Sequence, residues 1–264
     1  MKRFILVVLL LFLLVFVILQ AAKAKVGRDL AQPVQERILT PTPFVPIDKN
    51  QQVTNSVFVP YWAVTEQESG MEYDQYIYFG ITPTTKGIQN EAGLQRVESF
   101  KELVPSGKKS LLALRMVDSE MNADILSDKA AQKKIIAETM TFAKKHNFSG
   151  VVLDLEMSAI PFDSLVTQIS EFSRDIALQA GKQELTFEMT LYGDTFYRVR
   201  PFDVKTLSQT NENFMLMAYD FHKSRSNPGP NFPLKGSKTY GYDMEKLADD
   251  ILRYSSPAKV SIIF

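Results

Sequence analysis

Two carboxylates two residues apart, Asp154 and Glu156, close the run Phe148-Ser149-Gly150-Val151-Val152-Leu153-Asp154-Leu155-Glu156. In an extended strand alternate side chains share a face, so Val152, Asp154 and Glu156 point one way and Val151, Leu153 and Leu155 the other. Acids held this close repel when both are ionised. One therefore keeps its proton to higher pH and can pass it to a leaving oxygen. Glu156, the outer of the two, is the candidate donor. Taken alone, the pair also fits a strand cap, a structural ion pair or a bound cation. A second apolar run, Phe214-Met215-Leu216-Met217-Ala218-Tyr219-Asp220-Phe221-His222, places Met217 and Tyr219 on one face and Asp220 at the exit. By itself, Met217 reads as core and Tyr219 as a buried tyrosine with a satisfied hydroxyl.

Elements that could hold these groups are visible from Val57 onward, where short β-branched and aromatic runs alternate with amphipathic segments. The predicted strands are Val57–Tyr61, Tyr76–Ile81, Ser110–Arg115, Gly150–Leu155, Leu185–Leu191, Phe214–Tyr219 and Lys259–Phe264. Helical stripes lie between them: Ile135, Ile136, Thr139, Met140 and Ala143; then Leu165, Ile169, Phe172 and Ile176; then Met244, Leu247 and Ile251. Ser127 and Asp163 are the predicted N-caps, and Gly181 a C-terminal stop. Seven such units fit an α/β fold, either a doubly wound sheet or most of a (β/α)8 barrel. The first strand leads into Tyr61-Trp62 instead of a glycine-rich phosphate loop, which counts against a dinucleotide fold. In a barrel, inward acids at the C-terminal end of a strand occupy the catalytic face. A barrel of this kind typically spans about 250 residues, and residues 57–264 fall short of that. The expectation is an incomplete barrel lacking its final strand and helix.

Equal numbers of basic and acidic residues, 30 each, argue against nucleic acid as a partner, since phosphate binding needs a cationic surplus. The absence of cysteine excludes thiolate chemistry and disulfides, and two histidines, His146 and His222, make a histidine-rich metal site unexpected. Lys2 and Arg3 precede an apolar run from Phe4 to Leu19, and residues 1–24 read as a signal peptide or an N-terminal membrane anchor. Residues 25–56, with Thr40-Pro41-Thr42-Pro43-Phe44-Val45-Pro46, read as an extended linker. An extracytoplasmic protein follows, secreted or attached to the membrane if the segment is not cut.

The two polar-ended strands together resemble glycoside hydrolase family 18, the chitinase-like enzymes. Gly150 to Glu156 is similar to the family's D-x-x-D-x-D-x-E signature, and Met217-Ala218-Tyr219-Asp220 to its M-x-Y-D strand. The resemblance implies a TIM barrel and hydrolysis of glycans containing N-acetylglucosamine, in chitin or peptidoglycan, with retention and without a cofactor. Glu156 would then be the general acid and base, and Asp154 would orient the substrate's N-acetyl group while its carbonyl oxygen attacks the anomeric carbon. Tyr219, Asp220 and Met217 would bind substrate, with Tyr61 and Trp62 on the first strand. The chain departs from the pattern at Ser149 and Val152, which replace the signature's first two acids. It departs again at Ser110–Arg115, which lacks S-x-G-G and brings Arg115, and Asp118 beyond it, toward the cleft. A carbohydrate-binding barrel with weak or lost catalysis is the alternative, with Val152 in its favour and the retained Glu156 against it.

Overall fold

Apolar runs buried on both faces pair as parallel strands covered by helices, and all seven predicted strands form. They are β1 (Ser56–Pro60), β2 (Gln75–Ile81), β3 (Lys109–Met116), β4 (Gly150–Leu155), β5 (Thr186–Tyr192), β6 (Asn213–Met217) and β7 (Val260–Ile263). The computed structural model describes residues 54–64, 73–88, 91–211, 213–219, 221 and 229–264. The predicted leader at 1–24, nearly all of the linker, Asp220 and His222 lie outside the described residues. Among the described residues no helix is long and apolar enough to cross a membrane.

The strands pair in parallel and in sequence order, from β1 at one edge to β7 at the other. A doubly wound sheet would reverse its order at a switch point; this sheet never does. The architecture is that of the (β/α)8 barrel with seven strands in place. Its interior is filled by Ile77, Leu111, Ala113, Val152 and Met215, against which Phe58, Phe79 and Ile263 pack. The opposite strand faces, including Val151, Leu153 and Leu155, join a larger core with the helices. The alternation predicted for Gly150 to Glu156 is therefore the division between the two cores.

The helices are α1 (Val97–Leu103), α2 (Ser119–Ser127), α3 (Lys129–Lys145), α4 (Asp163–Lys182) and α5 (Met244–Ile251), with short helical turns at Glu91–Gln95, Val204–Leu207 and Ser237–Tyr240. The predicted stripes of α3, α4 and α5 are the faces that pack on the sheet. Their ends differ from expectation by a residue or so. Asp128, not Ser127, caps α3, its carboxylate accepting from the amides of Ala130 and Ala131 at 2.8 and 3.1 Å. Ser127 instead ends α2, with its hydroxyl donating to the Asp124 carbonyl. Phe162 is the N-cap of α4, Asp163 its first residue, and the helix passes Gly181 to end at Lys182. Two strand ends also move. β1 stops at Pro60, and Tyr61–Ala63 form a 3-10 turn; β6 stops at Met217, leaving Tyr219 beyond it.

Candidate active site

Asp154 is nine-tenths and more buried, on the interior face of β4. Its Oδ1 accepts a 2.7 Å hydrogen bond from the Thr190 hydroxyl on the neighbouring β5. Arg115 stands opposite it in register on β3. Burial pushes the Asp154 carboxyl above the usual aspartate range, and the Thr190 bond and the Arg115 charge act against that without cancelling it. An acid in this state is readily kept protonated, able to donate a hydrogen bond as well as accept one.

Glu156 follows on the same face, half-buried, and its backbone is fixed from two directions. Its amide donates to the Met116 carbonyl at the end of β3 at 2.8 Å. Its carbonyl accepts from the Asn122 side chain at 2.8 Å, and the same amide group of Asn122 also donates to Met116 at 2.8 Å. Asn122 sits on α2, whose first turn is capped by Asp118 through the amides of Glu120 and Met121. Asp118, expected near the cleft, serves as this cap. It acts on the site through the helix that carries Asn122.

A cavity of about 150 Å³ opens beside Glu156, lined also by Tyr192, Asp194, Arg200, Met217, Tyr219 and Phe232. Three of the predicted residues, Glu156, Met217 and Tyr219, thus meet around one space, with Asp154 behind them. Tyr61 and Trp62 stand apart from it at the end of β1. Trp62 is half exposed, touches Tyr61 edge-on with ring centres 5.0 Å apart, and has the Arg115 guanidinium 5.5 Å from its ring centre. Tyr61 itself is half-buried and packs against the main core. Arg115 therefore lies between the buried acid and the exposed indole.

The wall of the cavity formed by β5 and the segment after it was not anticipated. Burial, and then the negative charge of Glu156, push the Tyr192 phenol well above the usual tyrosine range, so it faces the acids as a hydroxyl donor. The Arg200 guanidinium stacks over the Tyr192 ring, 4.0 Å from its centre. Arg200 also forms a two-point pair with buried Asp194 at 2.9 and 2.8 Å, and Arg198 binds the same carboxylate at 2.7 Å. Two arginines share one carboxylate here, which leaves this wall positively charged beside Glu156. The signal was present in Thr186-Phe187-Glu188-Met189-Thr190-Leu191-Tyr192, whose polar members all fall on one strand face. A larger groove of about 720 Å³ lies on the outer surface between Leu94, Glu98, Phe142 and His146. None of the predicted site residues lines it.

Residues 44–264 match the family model described as glycosyl hydrolases family 18. No curated protein matches the sequence. Among solved structures, the fold is similar to the Group IV chitinase of Ostrinia furnacalis in complex with allosamidin, at 13% identity and a TM-score of 0.65, covering 80% of this chain and 65% of that one. It is also similar to the GH18 chitinase of Cycas revoluta in complex with (GlcNAc)3, at 20% identity and a TM-score of 0.64, covering 80% and 68%. A third similar structure is the putative sporulation-specific glycosylase ydhD of Bacillus subtilis, at 15% identity and a TM-score of 0.58, covering 70% and 61%. The chain thus spans about two thirds of the length of these proteins.

Proposed function

The chain belongs to glycosyl hydrolases family 18, and we propose that it is a glycosidase that cleaves glycans containing N-acetylglucosamine with retention of configuration, by substrate-assisted catalysis. The observation that carries this reading is the stacking of two acids on one strand end, a buried and easily protonated Asp154 behind Glu156 at the cavity. The cavity has a volume of about 150 Å³. That is room for a substituent of a sugar and too little for an oligosaccharide, so the glycan lies across the mouth and its N-acetyl group points in.

In this mechanism Glu156 donates its proton to the glycosidic oxygen as the bond to the anomeric carbon breaks. The carbonyl oxygen of the N-acetyl group closes on that carbon from the other face, forming a cyclic intermediate. Asp154 orients the acetamido nitrogen, and the Tyr192 and Tyr219 hydroxyls bind its oxygen. Met217 forms the apolar floor, and Asp220 follows Tyr219 in the sequence as a further substrate ligand. Glu156, now ionised, takes a proton from water, whose oxygen opens the intermediate on the face the leaving group left. Retention results. Trp62, with Tyr61 behind it, offers an exposed ring to sugars further along the strand. Chitin and peptidoglycan strands both present the required group. The apolar run at Phe4–Leu19 supports an extracytoplasmic location, secreted or membrane-anchored, where either polymer is met.

Hydrolysis of a chromogenic N-acetylglucosamine oligomer tests the reading against the carbohydrate-binding alternative. Wild type should turn over, and Glu156→Gln should lose about 10²–10⁴-fold in rate, the usual worth of a positioned general acid, while still binding the oligomer. Binding without turnover in both proteins would leave a lectin-like barrel.

A further inference from the structure

A third buried carboxylate, Glu188, lies inside the barrel and has no part in the chemistry above. It is on β5, 7% exposed, and pairs in register with Val152 of β4. Its face of the strand is fixed by Thr190, two residues further on, whose hydroxyl reaches Asp154. Glu188 therefore points into the barrel beside Val152 and one layer below Asp154. Diagonal neighbours on adjacent strands have side-chain origins roughly 7–8 Å apart, within reach of long side chains. The carboxylate that β4 lacks at Val152 is thus supplied by the next strand at the same level.

The surroundings decide what such a pair does. Val152, Ala113 and Met215 give the layer apolar packing, so charge is poorly screened and two anions there repel strongly. Arg115 on β3 is the cation facing Asp154. From β4 Glu156 adds a third carboxyl group above it, and from β5 Tyr192 adds a phenol. Tyr219 faces the same cavity beyond β6, and on β6 Asn213, which is uncharged, pairs in register with Glu188. Among the described residues, the charged groups about this layer are thus Arg115, the three carboxyl groups and, beside Glu156, Asp194 with Arg198 and Arg200.

We propose that Glu188 is a positioning residue for Asp154: the two carboxyl groups, one layer apart inside the barrel, share a single negative charge, which sets the pH at which Asp154 becomes the acceptor for the substrate's acetamido N–H. No covalent step is added. Glu188 acts by electrostatics from beneath, leaving the contacts with sugar to Asp154 and Glu156. The consequence for reactivity rests on the glycosidase reading, whereas the coupling of the two acids does not.

Carbon-13 NMR of the side-chain carboxyls in aspartate- and glutamate-labelled protein tests the coupling without substrate, with Asp154 assigned through Asp154→Asn. The Asp154 signal should titrate in two steps in wild type, as interacting sites do. In Glu188→Gln the step shared with Glu188 should be lost and the remaining titration should move to lower pH. Moving the acid across the layer, in Val152→Asp combined with Glu188→Gln, should restore the second step. A single-step curve for Asp154 in the wild-type protein overturns the proposal without need of any variant, as does an Asp154 curve unchanged by Glu188→Gln. If the oligomer is turned over, Glu188→Gln should also move the acid limb of the kcat profile to lower pH; an equal loss at every pH would mark Glu188 as structural only. Absence of turnover would count against the glycosidase reading alone and leave the titration as the test.

Discussion

Asp154→Asn is expected to stabilise the fold while disabling the site, and the gain should depend on pH. The wild-type carboxyl is buried, with one strong hydrogen bond from Thr190 and one nearby cation, and its pKa is raised above the ordinary 3.8. A group raised in this direction binds its proton more tightly folded than unfolded. Its contribution is fully present below the unfolded value and is lost as pH climbs through the folded one. At neutral pH the buried Asp154 therefore weighs against folding. Asparagine keeps an oxygen to accept from Thr190 and carries no charge. An incompletely compensated buried polar group costs about 1–3 kcal/mol. At roughly 2–4 °C per kcal/mol for a domain of this size, Tm should rise by about 2–12 °C at neutral pH. The gain should shrink toward zero on the acid side of the ordinary aspartate value, where wild type is protonated as well. Circular dichroism melts of both proteins across that range measure it, with hydrolysis of the oligomer assayed in parallel. A mutant no more stable than wild type at neutral pH, or a gain that is the same at acid and neutral pH, would refute the account of Asp154 as an unfavourable buried charge.

Three further expectations follow from the walls of the site. Arg200→Lys keeps the charge and loses the two-point geometry on Asp194; stability should fall by about 1–2 kcal/mol in urea titrations, and kcat should drop as Tyr192 loses the plane stacked on it. Asp118→Ala removes two amide bonds at the start of α2 and should cost about 1 kcal/mol in the same titrations, and KM should change little because Asp118 caps a helix and does not touch sugar. Trp62→Ala should leave stability within about 0.5 kcal/mol, as befits a half-exposed side chain, and raise KM roughly five-fold for longer oligomers, the equivalent of ~1 kcal/mol of lost stacking.

The parts of the site that were legible in the sequence are those that a single strand presents by itself. Alternation along β4 assigned Val152, Asp154 and Glu156 to the interior before any contact was known, and the order of elements gave seven strands. What stayed hidden depends on neighbours in space. Thr190 is an ordinary β-branched residue until β5 lies against β4 and its hydroxyl meets Asp154. Asp194, Arg198 and Arg200 went unremarked because opposite charges that will pair cannot be told from those that will be solvated. Asp118 misled for the converse reason. An acid just past a strand looks placed to shape the cleft, and only the two amides of the next helix reveal a cap. Boundaries slipped where two signals overlapped, as at Ser127 and Asp128, each able to cap or to close a helix.

The double grip of Asn122 on Met116 and Glu156 has a consequence for how this barrel can change. With its amide and carbonyl both held at 2.8 Å by the end of β3 and by α2, Glu156 belongs mechanically to the sheet, though it already lies one residue outside β4. Its amide should exchange with deuterium on the timescale of the strands and not of the exposed residues that follow, such as Ser158 and Ile160. Those residues should then tolerate lengthening, shortening or replacement without loosening Glu156, so the exposed segment that follows β4 can be remodelled while the carboxyl group beside the cavity keeps its place.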